Sequence, residues 1–211
     1  MRIKSLLVLF FNLLFVASLL IGCGGGSGSP GSHGTEDTGV KIDATIIPVY
    51  LAANTYSVDV QQDICDVGPP PVFETFTDHG ATVTFAATLI NPNSTFQLGK
   101  LYVEKYTVEY RRSTDSIGSP PIQTDTRFRT IVITPPTGAG TTEVTDTLIF
   151  VDLLRKDQYR TDVLSGQFSS GLSLINNYTA IYTFEGKNEF GTGFSFKAQT
   201  DFQIGNFDYC E

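Results

Sequence analysis

Tyr178-Thr179-Ala180-Ile181-Tyr182-Thr183-Phe184, with Phe194-Ser195-Phe196-Lys197-Ala198-Gln199-Thr200-Asp201-Phe202-Gln203-Ile204 after it, is the stretch that decides the fold. In the second run Phe194, Phe196, Ala198, Thr200, Phe202 and Ile204 alternate with Ser195, Lys197, Gln199, Asp201 and Gln203. A period of two is the signature of a strand with one buried face. Tyr178, Ala180, Tyr182 and Phe184 keep the same phase in the first run. Between the runs, Gly186-Lys187-Asn188-Glu189-Phe190-Gly191-Thr192-Gly193 carries turn chemistry. The whole reads as a long antiparallel hairpin with one aromatic face.

Upstream, the same pattern recurs in shorter pieces. Ala81 to Ile90 turns Val83, Phe85, Ala87 and Leu89 to one side and Thr82, Thr84 and Thr88 to the other, then stops at Asn91-Pro92-Asn93-Ser94. Leu101 to Arg111 sets Tyr102, Tyr106, Val108 and Tyr110 on one face. Tyrosines four apart could also stripe a helix, but Val103, Thr107 and Val108 are stiff, branched side chains that favour a strand. Arg127 to Thr134 is a further strand, ended by Pro135-Pro136-Thr137-Gly138, and Glu143 to Val151 follows with Val144, Leu148 and Phe150 in phase.

Asp152 to Asp157 loses the alternation and suits a single helical turn. Residues 165–177 read as a Ser/Gly/Asn-rich loop that Leu172, Leu174 and Ile175 could anchor to the core. Nearer the N-terminus, Lys41 to Leu51 and Thr55 to Val60 read as one or two strands broken at Ala52-Ala53-Asn54. Residues 61–80 hold Cys65, Gly68-Pro69-Pro70-Pro71 and Asp78-His79-Gly80 and read as loop with at most a short edge strand. Proline cannot donate to a ladder, which keeps this segment off a sheet centre.

Seven to nine strands with no helix between them make an all-β domain. Its expected form is a single antiparallel two-sheet β-sandwich, with a small β-barrel as the alternative. The tyrosine-rich penultimate strand, the Gly/Asn turn and the final strand resemble immunoglobulin-like and fibronectin type III-like domains over about residues 40–208. The chain departs from the antibody pattern in having no Trp and in placing Cys65 and Cys210 near the domain's ends. That resemblance implies architecture and carries no activity with it.

The N-terminus gives an address. Arg2 and Lys4 precede an apolar run from Leu6 to Leu20, interrupted by Asn12 and Ser18. At about 15 residues it falls short of the roughly 20 needed to span a bilayer, and it suits the core of a signal peptide. Leu20-Ile21-Gly22-Cys23 resembles the bacterial lipobox at all four positions. The resemblance implies a signal peptide over residues 1–22, cleavage before Cys23, a diacylglyceryl group on its sulfur and a fatty acyl chain such as palmitate on the new amino group. It implies a lipoprotein of the bacterial cell envelope. Gly24, where an inner-membrane retention signal would place Asp, points to the outer membrane of a cell that has two. An uncleaved transmembrane anchor with an incidental cysteine is the alternative. Residues 23–39, the lipidated cysteine and GGGSGSPGSHGTEDTG, form a flexible linker spanning roughly 20–25 Å as a random coil, with His33 solvated in it. The sandwich domain then occupies residues 40–211.

Charge excludes one class of partner. The chain has 14 Lys+Arg against 22 Asp+Glu. Loss of Arg2 and Lys4 with the signal peptide leaves 12 against 22, a formal charge of −10. Phosphate backbones repel such a chain, so nucleic acid is no partner. With Cys23 committed to lipid, Cys65 and Cys210 remain, an even pair that suggests one disulfide in an exported chain. Two separate thiols are the alternative. If the pair forms, Asp63, Asp66, Asp208 and Glu211 gather around it, and hard oxygen donors can hold Ca²⁺. Their spacing matches no calcium loop, and a solvated acidic rim is the plainer reading.

No residue pattern calls for catalysis. His79 reads as a loop histidine, and Gly166 to Gly171 does not match the G-x-S-x-G elbow. Two histidines far apart and two paired cysteines cannot build a zinc site, and no Gly-rich phosphate loop joins a strand to a helix. The chain is read as no enzyme, with no resident cofactor beyond its lipid. Nine Tyr and sixteen Phe mostly follow the strand phase and belong to a core. Phe190 is the exception, an aromatic ring in a turn and a candidate contact with a partner. The expected role is a non-catalytic binding or structural accessory, attached to the membrane by lipid and meeting an envelope protein through its terminal loops or an edge strand. A small-ligand or glycan binder is the alternative, marked by exposed Tyr or Phe lined up on one sheet face. An envelope hydrolase comes last.

Overall fold

The computed structural model describes residues 35–93, 98–169 and 175–210. The final hairpin forms as its alternation dictates. It pairs the two strands that will be called β10 (Asn176–Asn188) and β11 (Gly193–Gly205), in register from Lys187↔Gly193 to Asn176↔Ile204. The strand runs on through Gly186, Lys187 and Asn188, and the turn shrinks to residues 189–192. Asn188 makes this tightening stable, because its side-chain Oδ1 accepts from Phe190 N at 3.0 Å and Thr192 N at 2.8 Å. Gly191 supplies the left-handed φ of +87° that the turn requires.

The other strands are β1 (Val40–Tyr50), β2 (Ala53–Asn54), β3 (Ser57–Asp59), β4 (Ile64–Asp66), β5 (Val72–Phe73), β6 (His79–Leu89), β7 (Leu101–Arg112), β8 (Asp125–Ile133) and β9 (Thr141–Val151). They assemble into one sheet in the order β2-β1-β6-β9 and a second in the order β3-β11-β10-β7-β8. The chain passes between sheets after β2, between β3 and β6, and after β6, β8 and β9, the Greek-key wiring of an immunoglobulin-like two-sheet sandwich. The pairing is antiparallel throughout the two sheets except where short β3 runs parallel to β11.

Aromatic rings fill the space between the sheets. Phe85 of one sheet meets Phe184 of the other edge-on, with centroids 5.0 Å apart, and Tyr178, Tyr182, Phe184 and Phe196 are all buried. Each such ring contributes about 1.5–3 kcal/mol relative to exposure.

Several local expectations are corrected by specific geometry. The tyrosines of β7 do not share one face: the register slips between Val103 and Lys105, so Leu101 and Val103 face the core before the bulge and Tyr106 and Val108 after it. Tyr102 therefore lies on the opposite face. The break after β1 comes earlier than the sequence suggests. Leu51 and Ala52 take φ of +48° and +66° and form a two-residue hairpin turn, which sends Ala53 and Asn54 back against β1. The expected single helical turn is a full helix, α1 (Leu153–Leu164), capped by Asp152, whose carboxylate accepts from Arg155 N at 3.0 Å. Ile175 is half exposed and anchors nothing, while Leu172 and Leu174 fall outside the described residues. So do Leu20, Ile21, Gly22, Cys23, His33 and Glu211.

The sandwich has two unlike ends. At one, Val40 enters β1, residues 90–93 follow β6, residue 98 leads into β7, and the turn at 189–192 joins the last two strands. At the other, residues 51–78 cross from β1 to β6, α1 follows β9, and residues 206–210 follow β11.

Candidate functional site

The crossing segment 51–78 is too long for local turns to satisfy its polar groups, and non-local fasteners hold it. Cys65 and Cys210 are joined, with Cα atoms 5.2 Å apart across 145 residues. Closing so long a loop restricts the unfolded chain by up to about 5 kcal/mol. The ribbon of β4 and β5, paired Ile64↔Phe73, hydrogen-bonds to neither main sheet and sits over this end as a cap.

Beneath the cap lies a buried polar cluster. Asp59, at the end of β3, is 1% exposed; its Oδ1 accepts from Gln61 N at 3.2 Å and from Phe207 N at 3.0 Å, while its Oδ2 has no partner. Glu74 is 4% exposed; its Oε2 accepts from Tyr209 N at 2.9 Å, and its Oε1 has no partner. Burial first, and then the Glu74 carboxyl, push Asp59 up to about 7, against backbone donors that favour its charged form.

Lys156 of α1 supplies a positive charge there. It is fully buried, donates from Nζ to Thr77 O at 2.8 Å, and lies 4.7 Å from the ring centroids of both Tyr50 and Phe76. Burial draws it down to about 8, with Asp59, Asp78 and Glu74 opposing. His79 opens β6 and is also fully buried, not a loop histidine. Its Nε2 lies 2.8 Å from Thr55 O, so that nitrogen carries the proton, and Nδ1 is left without a partner. Burial holds His79 down at about 4, so the ring is neutral at pH 7. Tyr50 stacks on it at 5.2 Å, bonds through its hydroxyl to Thr75 O, and touches Tyr209, whose hydroxyl donates to Ser57 O at 2.7 Å. The cluster thus ties five separate stretches together: the ends of β1 and β3, residues 74–79, α1 and the C-terminal tail.

Of the residues singled out from sequence, Cys65 and Cys210 meet as expected. Among the described residues, Asp63, Asp66 and Asp208 do not bring their ligand atoms within 4.8 Å of one another, and Glu211 lies outside those residues. Asp63 Oδ1 accepts from Gln61 Nε2 at 3.0 Å, Asp66 Oδ1 from Gly68 N at 2.9 Å, and Asp208 Oδ1 from Cys210 N at 2.9 Å. Each carboxylate is taken up by its own turn. Among the described residues, the atoms that converge within 4.8 Å belong to Glu74, Asp208 and Cys210, and that sulfur is already in the disulfide. Asp59, Glu74 and Lys156 were not foreseen. The Asp152 cap ahead of α1 was the one sequence signal that could have led to Lys156.

Phe190 stands out from the turn at 72% exposed. Among the described residues the other exposed aromatics are Tyr56 between β2 and β3, Phe73 on β5 and Phe128 on β8. A groove of about 340 Å³ runs beside Phe128 between β8 and β9. Its arginines are committed: Arg127 to Asp125 and Asp152 at 2.5 and 2.7 Å, Arg129 to Asp146 at 2.5 Å.

No protein-family model matches the chain, and no curated protein matches it. Among solved structures it is similar to the solution structure of a protein described as late embryogenesis abundant (LEA), with 8% identity, 81% of this chain and 75% of that chain covered, and a TM-score of 0.36. It is also similar to an X-ray structure of a Northeast Structural Genomics Consortium target, with 9% identity, 82% and 91% covered, and a TM-score of 0.30.

Proposed function

We propose that this chain is a lipoprotein of the bacterial cell envelope, held by lipid on Cys23 in the outer membrane of a cell that has two, and that it acts as a non-catalytic binding or structural accessory. The lipobox-like Leu20-Ile21-Gly22-Cys23 supports the anchor, and a disulfide across 145 residues supports an oxidising compartment outside the cytoplasm. His79 is fully buried with its Nε2 proton on a carbonyl, which supports a role without a general base.

The observation that carries the binding role is where apolar surface sits. Of the fifteen large apolar side chains exposed among the described residues, eleven belong to the capped end: Leu51, Tyr56, Ile64, Val67, Val72, Phe73, Ile117, Leu153, Leu154, Leu164 and Ile175. Concentrated, rigidly fastened apolar surface of this kind marks a protein contact. The linker supplies reach, and the capped end supplies recognition.

The test is site-specific photocrosslinking in the native membrane, with the photoreactive residue at position 73 and, as the control, at position 128. One reproducible adduct from position 73 and none from position 128 is the expected outcome. No adduct from either, or a substrate turned over by the isolated domain, would remove the proposal.

A further inference from the structure

The end opposite the cap is where the tether enters, and it carries exposed apolar side chains that folding does not require. Phe190 is 72% exposed although its turn is already satisfied by Asn188 Oδ1 and by the left-handed Gly191. A small polar residue would serve the turn equally well. Ile90, 52% exposed, is close by along a continuous stretch of backbone. Ile90 N donates to Gly39 O at 3.1 Å, and a Cβ placed on Gly39 would lie 3.1 Å from Leu98. A Cβ on the adjoining Gly99 would lie 2.8 Å from the Phe190 ring. Phe190, Ile90 and the point where the chain enters the fold therefore share one face.

We propose that this face rests on the lipid bilayer, with Phe190 and Ile90 dipping into its interface. The inference rests on the lipid anchor at Cys23. Only residues 24–34 separate that cysteine from Thr35, which is buried against the sandwich with its hydroxyl on Val40 O at 2.5 Å. Eleven residues reach at most roughly 35–40 Å. So short a tether holds the face at an effective concentration in the millimolar range, where even two shallowly inserted side chains suffice to orient the domain. The capped end is then turned away from the membrane, toward soluble or opposing partners. Glu36, Asp37 and Glu189 lie near the same face beside the exposed Lys100, so zwitterionic lipid is the first surface to test.

The chain has no Trp, so one introduced indole reports from one place. Full-length lipidated protein carrying Phe190→Trp is reconstituted into phosphatidylcholine vesicles containing acyl-brominated phosphatidylcholine, beside a Phe73→Trp protein. The expected result is a blue-shifted emission for F190W and quenching severalfold stronger than for F73W. I90W, at a separate position of the same face, repeats the measurement should the turn tolerate indole poorly. Protein that floats with the vesicles while its position-190 and position-90 indoles stay as water-accessible as that at position 73 overturns the membrane contact and leaves the anchor standing. Floating protein whose F190W emission is blue-shifted without bromine quenching points to a protein contact there and overturns the proposal too. Failure to float removes the anchor and the proposal together.

Discussion

The two ends of the sandwich solve the same problem, reversing the chain, by opposite means. At the end where Val40 enters, the described turns lean on bonds within the turn, with a few backbone bonds between neighbouring connections such as Ile90 N to Gly39 O. Asn188 closes its own turn, and Thr38 and Thr35 bond to backbone within five residues. At the capped end the chain wanders through residues 51–78, and it is held by a disulfide, by Asp59 and Glu74 gripping the C-terminal tail, and by Lys156 gripping Thr77. Local turns need only the right residues. A long crossing needs partners distant in sequence, and buried ionisable groups are what this chain uses.

The sharpest way to break that contrast is to remove the staple. Changing Cys65 and Cys210 both to Ser is expected to lower stability by up to about 5 kcal/mol. Hydrogen exchange should then rise first at residues 60–78 and 206–210, with the β10–β11 hairpin still protected; equal loss at both ends would erase the distinction drawn here. Lys156→Ala comes next. It removes the Nζ bond to Thr77 O and the contacts with the Tyr50 and Phe76 rings, and thermal melts at pH 7 should show a loss of roughly 2–3 kcal/mol.

Asp59 adds a pH dependence whose sign is fixed. Its pKa is raised from 3.8 to about 7 on folding, so the stability it contributes is full below about 4 and is lost as pH rises toward 7. His79 works the other way: held down at about 4, it favours the fold above its ordinary 6.5, and that contribution is lost as pH falls toward 4. In Asp59→Asn the amide carbonyl keeps the bonds to Gln61 N and Phe207 N, and the amide NH₂ can donate to the idle Glu74 oxygen. Melts between pH 4 and 8 should show this variant more stable than wild type by about 1 kcal/mol at pH 8, with the advantage vanishing at pH 4. A pH-independent difference would mean that Asp59 does not titrate in this range.

Ala52→Gly relieves a left-handed residue in the β1–β2 turn and should stabilise by up to about 1 kcal/mol in denaturant unfolding. Phe190→Ser, at the tethered end, should change stability by less than about 0.5 kcal/mol, because the ring supports no core. A larger loss would show that the turn depends on it.

What the sequence disclosed follows the same division. Alternation and turn residues are local, so the hairpin around Tyr182 and Phe196, the strand holding Phe85 and the two-sheet sandwich were legible. The bulge that turns Tyr102 away adds one residue to β7 opposite Glu185 and Gly186 of β10, without any compositional mark. The length of α1 was hidden because Lys156 occupies a core-facing position beside Tyr159 and Val163, where an apolar residue would have completed the pattern. Asp59 and Glu74 resemble ordinary loop acids until the tail folds over them, and nothing in their neighbours foretells that. Cys65 and Cys210 were readable because cysteine is rare in this chain and has few roles, whereas its many carboxylates have several.

The span of the disulfide also sets a timetable. At roughly 5–20 residues per second, the 145 residues separating Cys210 from Cys65 take about 7–29 seconds to make. For that interval Cys65 is a thiol in waiting, and Cys23 is the one other cysteine already synthesised. On the proposed anchor, a thioether to lipid would silence Cys23 as a rival, and anchoring and correct oxidation would be successive steps of one maturation, with the cap locked last.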